Sequence, residues 1–103
     1  MTWTKVATVE ELPTDGGLRV ELAGLGIALF KVGSDVYAIG DRCNHAEASL
    51  SEGELFEDEV ECPLHGAVFD VTTGEAKTLP ATAPVPSYSV KVDGEDVLLE
   101  VES

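Results

Sequence analysis

The chain has 103 residues, with 20 Asp and Glu against 6 Lys and Arg, so its formal net charge at pH 7 is −14. This length predicts one small domain, and a field of this sign repels phosphates, which excludes nucleic acid as a partner and favours partners with basic surfaces. The longest apolar run, residues 27–30, is far shorter than the roughly 20 residues of a membrane-spanning helix, so no membrane partner is expected.

Short apolar stretches separated by turn residues predict an all-β fold, because no stretch keeps a helical period for more than a turn or two. The predicted strands are residues 3–7, 18–22, 27–32, 36–39, 67–71, 88–92 and 97–101. The last two alternate apolar and polar side chains around a turn at residues 93–96, which makes them the clearest hairpin. Strands of this length and spacing are typical of stacked small sheets or of a barrel.

The segments between these strands are predicted from their Gly, Pro and polar residues. Residues 10–17, 33–35 and 72–74 are predicted to form turns. Residues 79–86 are rich in proline and have too few amide donors for a central strand. This last segment is therefore predicted to be a loop or an edge that covers another part of the molecule.

Both cysteines and both histidines of the chain lie in one stretch, residues 43–65. Cys43 and His45 form a first pair, and a spacer of sixteen residues separates it from a second pair, Cys62 and His65. Two short turns that each present one Cys and one His can grip a metal centre from opposite sides. The sequence therefore predicts a metal site made from these four residues.

Three kinds of centre are compatible with two cysteines and two histidines: a structural zinc ion, a disulfide beside incidental histidines, or an iron–sulfur cluster with mixed ligands. Charge does not choose between zinc and the cluster, because either centre is neutral with two thiolates and two neutral imidazoles. A cluster held only by cysteine is excluded, since it needs four thiolates and the chain has two cysteines.

The residues around the two pairs carry a resemblance to a known family. Residues 43–45 read Cys-X-His and residues 62–65 read Cys-X-X-His, a pattern that resembles the motif of Rieske-type ferredoxins. The likeness extends to Leu-Ser-Glu-Gly at residues 50–53, to Phe69-Asp70 and to Thr73-Gly74. It continues as a weaker match of strands and turns over most of the chain.

This resemblance implies a fold and a domain plan. A single Rieske domain would cover residues 1–103, with stacked small antiparallel sheets. A cluster-binding subdomain of about residues 41–73, formed by two loops, would be inserted in a basal β domain. The proline-rich segment around Pro80 would cover the cluster as a third wall.

The resemblance also implies one [2Fe-2S] cluster per chain and a role for each ligand. Cys43 and Cys62 would bind the inner iron, and His45 and His65 would bind the outer iron. Each imidazole would keep its second nitrogen at the surface, so the histidines would be the port through which electrons enter and leave.

By the same resemblance the chain is expected to be an electron carrier and not an enzyme. It would pass single electrons from an NADH-dependent flavoprotein reductase to the terminal oxygenase of an aromatic-ring dioxygenase system. The alternatives are the small subunit of an assimilatory nitrite reductase and a structural zinc module. A monomer is expected, and two cysteines without an apolar signal region at the start of the chain predict a cytoplasmic location.

Departures from the high-potential members of the family predict a low reduction potential. Those relatives have a bracing disulfide, whose cysteines would stand here near Glu47 and at Leu64. They also have two hydroxyl side chains, where this chain has Ala67 and Phe69, and neither Ala nor Phe can donate a hydrogen bond to sulfur. The predicted potential is therefore near the low end of the Rieske range, about −150 mV.

Overall fold

The computed structural model describes residues 3–14, 16–22, 24–33, 35–41, 49–63, 68–77 and 85–100. These residues form strands and two 3₁₀ turns, Val9–Glu11 and Leu50–Glu52. The strands are β1 (Trp3–Thr8), β2 (Gly17–Leu22), β3 (Leu25–Val32), β4 (Asp35–Gly40), β5 (Glu54–Phe56), β6 (Glu59–Glu61), β7 (Val68–Asp70), β8 (Ser87–Asp93) and β9 (Asp96–Glu100). The prediction of an all-β chain is confirmed. Among the described residues no helix has the length and apolar character needed to cross a bilayer.

The strands pair in antiparallel fashion and form two sheets. The larger sheet has six strands in the order β1-β9-β8-β4-β3-β2, and the smaller has three in the order β5-β6-β7. The edge strands β1 and β2 of the larger sheet lie close to each other. The larger sheet therefore curves round and encloses one of its own faces.

Strand β3 is buried on both faces, which explains its unbroken apolar run. Ile27 and Leu29 face one apolar core while Ala28 and Phe30 face another, as the two-residue period of a strand requires. The inner core, enclosed by the larger sheet, consists of Ala7, Leu12, Ile27, Leu29, Val36, Ala38, Val97 and Leu99. The outer core consists of Ala28, Phe30, Ile39, Leu50, Val60, Cys62, Phe69, Val71 and Val85. Because the outer core contains residues of β6 and β7, it joins the small sheet to the large one.

The sequence predicts the strands of the larger sheet and misses two strands of the smaller one. Each predicted strand lies within two residues of an observed strand, and the predicted turn at residues 10–17 ends early because Gly17 already pairs with Phe30 in β2. Strands β5 and β6 are not predicted. Each of these strands has three residues. Only one side chain in each packs toward the outer core, Leu55 in β5 and Val60 in β6, so the sequence shows no alternation of apolar and polar residues there.

Candidate metal centre

Cys62 is the one predicted ligand among the described residues; Cys43, His45 and His65 lie outside them. Cys62 directly follows β6, is 1% exposed, and belongs to the outer core. Its thiol makes no disulfide within the described residues, which do not include Cys43. Within the described ranges no three metal-binding side chains come together, as expected when most of the predicted ligands lie beyond those ranges.

The first predicted ligand loop, residues 42–48, lies outside the described residues, but the structure shows what holds its ends. Asp41 precedes the loop, and the Leu50 N–H donates to the Asp41 carbonyl oxygen at 2.6 Å. The Asp41 side chain is buried, and its Oδ1 accepts a hydrogen bond from the Ser51 N–H at 2.9 Å. Two hydrogen bonds thus bring the start and the end of this loop together.

The second predicted ligand loop leaves β6 and returns to β7, and its residues 64–67 lie outside the described residues. Glu61 and Val68 are register partners, so the chain leaves and returns one strand spacing apart, roughly 4.8 Å. Gly53 packs against this exit: a Cβ on Gly53 would lie 1.9 Å from the Glu61 carbonyl oxygen. Only glycine fits there, which gives a physical reason for the last residue of the Leu-Ser-Glu-Gly sequence.

The ends of the proline-rich segment are attached beside β7. Residues 79–84 of this segment lie outside the described residues, so the prediction that it covers the metal site stays a prediction. At one end the Lys77 N–H donates to the Val68 carbonyl oxygen at 2.7 Å, and at the other the Val85 N–H donates to the Gly74 carbonyl oxygen at 2.9 Å. Val68 is also where the second ligand loop ends, so the two segments share an anchor.

The turn after β7 is built around Asp70. Its Oδ1 accepts hydrogen bonds from the Thr72 N–H at 2.8 Å and from the Thr72 hydroxyl, and its Oδ2 lies 3.8 Å from Lys77 Nζ. Burial raises the pKa of Asp70, but the hydrogen bonds from Thr72 and the charge of Lys77 outweigh burial, and the pKa is lowered from its ordinary value. The charged carboxylate therefore holds this turn.

The exposed side of the small sheet is strongly acidic. Leu55 and Val60 pack toward the outer core, while the charged side chains around them face solvent. The exposed acids are Glu52, Glu54, Glu57, Asp58 and Glu61. No Lys or Arg occurs between residues 43 and 76. The surface next to Cys62 is therefore negative and favours a basic partner.

Sequence reasoning missed Arg19 and Asp41 as parts of this end of the molecule, and for Gly53, which belongs to the family-like sequence, it gave no physical reason. Arg19 Nε donates to Asp41 Oδ2 at 3.0 Å, although 22 residues separate them in the chain. The sequence holds one faint signal, an aspartate two residues before the first cysteine, which looks like any solvated aspartate. The pairing depends on the register of β2 and β3 and becomes visible only in the folded chain.

Comparison with known proteins assigns the chain to a family. A model of the Rieske [2Fe-2S] domain matches residues 2–89. The chain belongs to this Rieske family. The Rieske chain therefore binds a [2Fe-2S] cluster. The spacing of Cys and His alone is also compatible with a zinc ion, and the family assignment excludes that alternative. The residues present fit that group, because Cys62 offers a free and buried thiol and the chain has two cysteines and two histidines to share between two irons.

Two curated relatives indicate the class of the Rieske chain. It is similar to the 3-phenylpropionate/cinnamic acid dioxygenase ferredoxin subunits of Shigella boydii serotype 4 (strain Sb227) and Escherichia coli (strain K12). Each is 48% identical over 94 residues, which is 90% of this chain and 88% of the relative. The Rieske chain is accordingly an electron carrier of the ferredoxin type and not itself a catalytic enzyme.

Solved structures confirm the predicted Rieske fold. The ferredoxin of carbazole 1,9a-dioxygenase from Nocardioides aromaticivorans IC177 matches with a TM-score of 0.92 and 38% identity, covering 99% of this chain and 100% of that one. A ferredoxin solved in a complex of reduced oxygenase and oxidized ferredoxin of carbazole 1,9a-dioxygenase matches with a TM-score of 0.86 and 36% identity, covering 97% of both chains.

A nitrite reductase small subunit has the same fold. It matches with a TM-score of 0.84 over 98% of this chain, at 24% identity. Identity at this level shows the fold alone. The alternative role in nitrite reduction therefore has no support beyond the shared architecture, whereas the ferredoxin role has support from sequence as well.

Proposed function

We propose that the Rieske chain passes single electrons from an NADH-dependent flavoprotein reductase to the terminal oxygenase of an aromatic-ring dioxygenase system. The observation that carries this proposal is the 48% identity, over 90% of the chain, to subunits named as dioxygenase ferredoxins. The fold it shares with a ferredoxin solved together with its oxygenase supports the second half of the proposal. The flavoprotein reductase is inferred from the resemblance to free-standing Rieske ferredoxins.

Cys43, His45, Cys62 and His65 are the proposed ligands, with the cysteines on the inner iron and the histidines on the outer iron. When bound, the cluster takes up and releases one electron. The burial of Cys62 in the outer core supports an inner position for its sulfur, because apolar side chains shield it from water. The cluster-binding subdomain would run from about residue 41 to residue 73, from the buried Asp41 to the turn that Asp70 holds.

The surface supports transient docking on basic partners. Exposed carboxylates lie on the small sheet beside Cys62, in a chain whose formal net charge is −14. Such charges steer association and make it fast and sensitive to salt, since screening shortens their reach to about 8 Å at physiological ionic strength. A carrier that visits two partners in turn benefits from complexes that form and dissociate rapidly.

A low reduction potential, about −150 mV, completes the proposal. Phe69 is fully buried in the same core as Cys62 and has no hydroxyl that could donate to a sulfur. Carboxylates on the small sheet also disfavour the added negative charge of the reduced state. A redox titration checks this value, and a potential above about +100 mV, toward the upper part of the Rieske range, would contradict it.

The function is tested by electron transfer to a real partner. The dithionite-reduced chain is mixed in a stopped-flow instrument with the oxidised terminal oxygenase of a 3-phenylpropionate dioxygenase system, and its reoxidation is followed. Rapid one-electron reoxidation that slows as salt is added is the expected result. No transfer at any salt concentration, together with stable co-purification with a large sirohaem-containing chain, would replace this proposal by the nitrite reductase role.

We also propose that the chain is a cytoplasmic monomer. The chain has two cysteines, and both are cluster ligands in this account, so it has no cysteine left for a disulfide of the kind that secreted proteins use. Light scattering at micromolar concentration checks the monomer, and a dimer mass would contradict it.

A further inference from the structure

One buried carboxylate joins three separate parts of the chain next to the first ligand loop. The side chain of Asp41, at the end of β4, is only 4% exposed. Oδ1 accepts from the Ser51 N–H after the loop at 2.9 Å, and Oδ2 accepts from Arg19 Nε on β2 at 3.0 Å. The backbone of Asp41 adds two hydrogen bonds, one accepted from the Leu50 N–H and one donated to the Gly26 carbonyl oxygen at 3.1 Å.

Arg19 reaches this carboxylate across β3, and its guanidinium lies close to Gly26. A Cβ on Gly26 would lie 3.1 Å from Arg19 Nη2. The guanidinium also makes an ion pair on its outer side, with Glu21 Oε1 at 2.9 Å from Nη1. The Glu21 side chain is 66% exposed, whereas the Asp41 side chain is buried. The same arginine thus makes one solvated ion pair, with Glu21, and one ion pair with a buried carboxylate, that of Asp41.

The contact between Arg19 and the buried carboxylate of Asp41 does more than close a turn. A carboxylate removed from water is costly unless each oxygen has a donor, and here the two donors come from different parts of the chain, Ser51 and Arg19. Ser51 ties Asp41 to the chain after the loop, and Arg19 ties it to the wall of the larger sheet. The ends of the loop that carries Cys43 and His45 are therefore fixed to the sheet by polar contacts and not only by apolar packing. We call the hydrogen bonds of the Asp41 carboxylate to Arg19 and Ser51 the clasp.

We propose that Asp41 is a positioning residue for the cluster, and that Arg19 and the Ser51 N–H hold its carboxylate in place. This inference rests on the proposed function, because it assumes that Cys43 and His45 are ligands. The clasp sets how far the start and the end of the first loop stand from each other, and so fixes the two ligands relative to Cys62. Loss of a group that hydrogen-bonds a metal ligand directly typically costs 10- to 100-fold in metal affinity, and we expect the loss of Asp41, which acts through the ends of the loop, to fall at the lower end of that range.

The test compares iron release from loaded proteins. Wild type, Asp41→Ala, Asp41→Asn, Arg19→Met and Glu21→Gln are incubated with an iron chelator, and the loss of the visible cluster absorption is followed. Asp41→Ala should release iron at least tenfold faster than wild type, and Arg19→Met severalfold faster. Asp41→Asn should recover part of the loss, because its Oδ1 can still accept the Ser51 N–H. Glu21→Gln, which removes the other ion pair of Arg19, should stay within twofold of wild type.

A second comparison separates positioning from general stability. Val97→Ala removes two methyl groups from the inner core, to which neither Asp41 nor Arg19 nor Ser51 belongs. It should lower the thermal unfolding midpoint without accelerating iron release at 25 °C. The reduced Asp41→Ala protein should also give an EPR spectrum with shifted or broadened g values, whereas Val97→Ala should give the wild-type spectrum. Iron release that follows the unfolding midpoint across all variants would overturn the positioning role.

The wild-type sample distinguishes a failure of the proposed ligand assignment from a failure of the proposed role of Asp41. A wild-type protein without histidine-ligated cluster signals would refute the ligand assignment itself. A loaded wild type with Asp41→Ala and Arg19→Met both at its release rate would refute only the clasp. If Asp41→Ala does not accumulate in loaded form, Arg19→Met and Asp41→Asn provide the test, since both leave the bond from the Ser51 N–H to residue 41 in place. Iron release at the wild-type rate from both of these variants would still overturn the proposal.

Discussion

The two sheets of the molecule are held together by different kinds of interaction. The larger sheet encloses the inner core with strands of five to eight residues that direct alternate side chains into this core, such as Ile27 and Leu29 in β3 and Val97 and Leu99 in β9. The smaller sheet has three strands of three residues each. Its geometry depends on close backbone contacts at Gly53 and Gly74 and on hydrogen bonds to Asp41 and Asp70.

This difference separates stability from function. A closed apolar core tolerates changes that keep its volume, since burial is non-directional and roughly proportional to area. Ligand loops need defined end points, which hydrogen bonds and glycine contacts provide because they fix direction and distance. The larger sheet is therefore expected to carry most of the folding free energy, and the smaller sheet to carry the geometry of the site.

Phe30 lies where the two regions meet, and its loss should have the largest effect. The ring is fully buried in the outer core and fills the space over Gly17, whose added Cβ would lie 2.6 Å from it. Phe30→Ala should lower the free energy of unfolding by about 3–5 kcal/mol and should also weaken cluster retention. Urea unfolding followed by circular dichroism measures the loss. Lys31→Ala, on the next residue of the same strand, should change stability by about 0.5 kcal/mol or less. Equal effects would contradict the assignment of Phe30 to the boundary.

A change confined to the small sheet should damage the site more than the fold. Gly53→Ala forces a Cβ against the Glu61 carbonyl oxygen, so the 3₁₀ turn or β6 has to shift. We expect about 1–3 kcal/mol lower stability and iron content well below one cluster per chain, with the far-UV spectrum retained. Gly94→Ala is the control, because Gly94 has a φ of +65° but open space around it. It should cost stability and leave cluster loading unchanged; equal iron loss would contradict the separation of the two regions.

Asp70 provides a pH-dependent version of the same comparison. Its pKa in the folded state is lowered from the ordinary value of 3.8, so the charged carboxylate stabilises the fold above that value and loses this effect as pH falls through the folded-state pKa. Asp70→Asn should therefore unfold at a lower temperature than wild type at pH 7, and the gap should narrow at pH 3. Scanning calorimetry gives the unfolding midpoint of each protein at each pH. The difference between the midpoints of wild type and Asp70→Asn is compared at the two pH values, because acid affects the cluster of both proteins.

The control for this pH effect is Asp93→Asn, an exposed aspartate beside the turn between β8 and β9. It should show a small gap at both pH values. A gap for Asp70→Asn that widens on acidification would have the wrong sign for a carboxylate stabilised in its charged form.

The smallest expected effect is an increase in the free energy of unfolding. Glu57, in the tight turn between β5 and β6, has a φ of +58° and is the one non-glycine residue with positive φ in the described part of the chain. Glu57→Gly should raise the free energy of unfolding by up to about 1 kcal/mol, because the left-handed conformation costs a side-chain-bearing residue roughly that much. Asp58→Gly, one residue later and without positive φ, should be neutral or destabilising. The opposite order of these two variants in a urea titration would contradict the turn geometry.

What the sequence predicts follows the same division between regions. The long strands are visible because alternation over five or more residues is a strong signal, as in β8 and β9. A three-residue strand such as β5 has one inward side chain and therefore no detectable period. The ligands are predicted because cysteine and histidine are rare here and their spacing is distinctive. The Arg19 to Asp41 pair and the contact of Gly53 with Glu61 depend on strand register, which no local pattern encodes.

The most direct test of the account is the low-temperature EPR spectrum of the dithionite-reduced protein, recorded on the sample that gave the visible spectrum of the oxidised form. A brown protein that bleaches on reduction and shows an average g clearly below that of an all-cysteine cluster would match ligation by two cysteines and two histidines. A colourless protein with one zinc per chain, or a cluster signal typical of four thiolates, would contradict the assignment of Cys43, His45, Cys62 and His65.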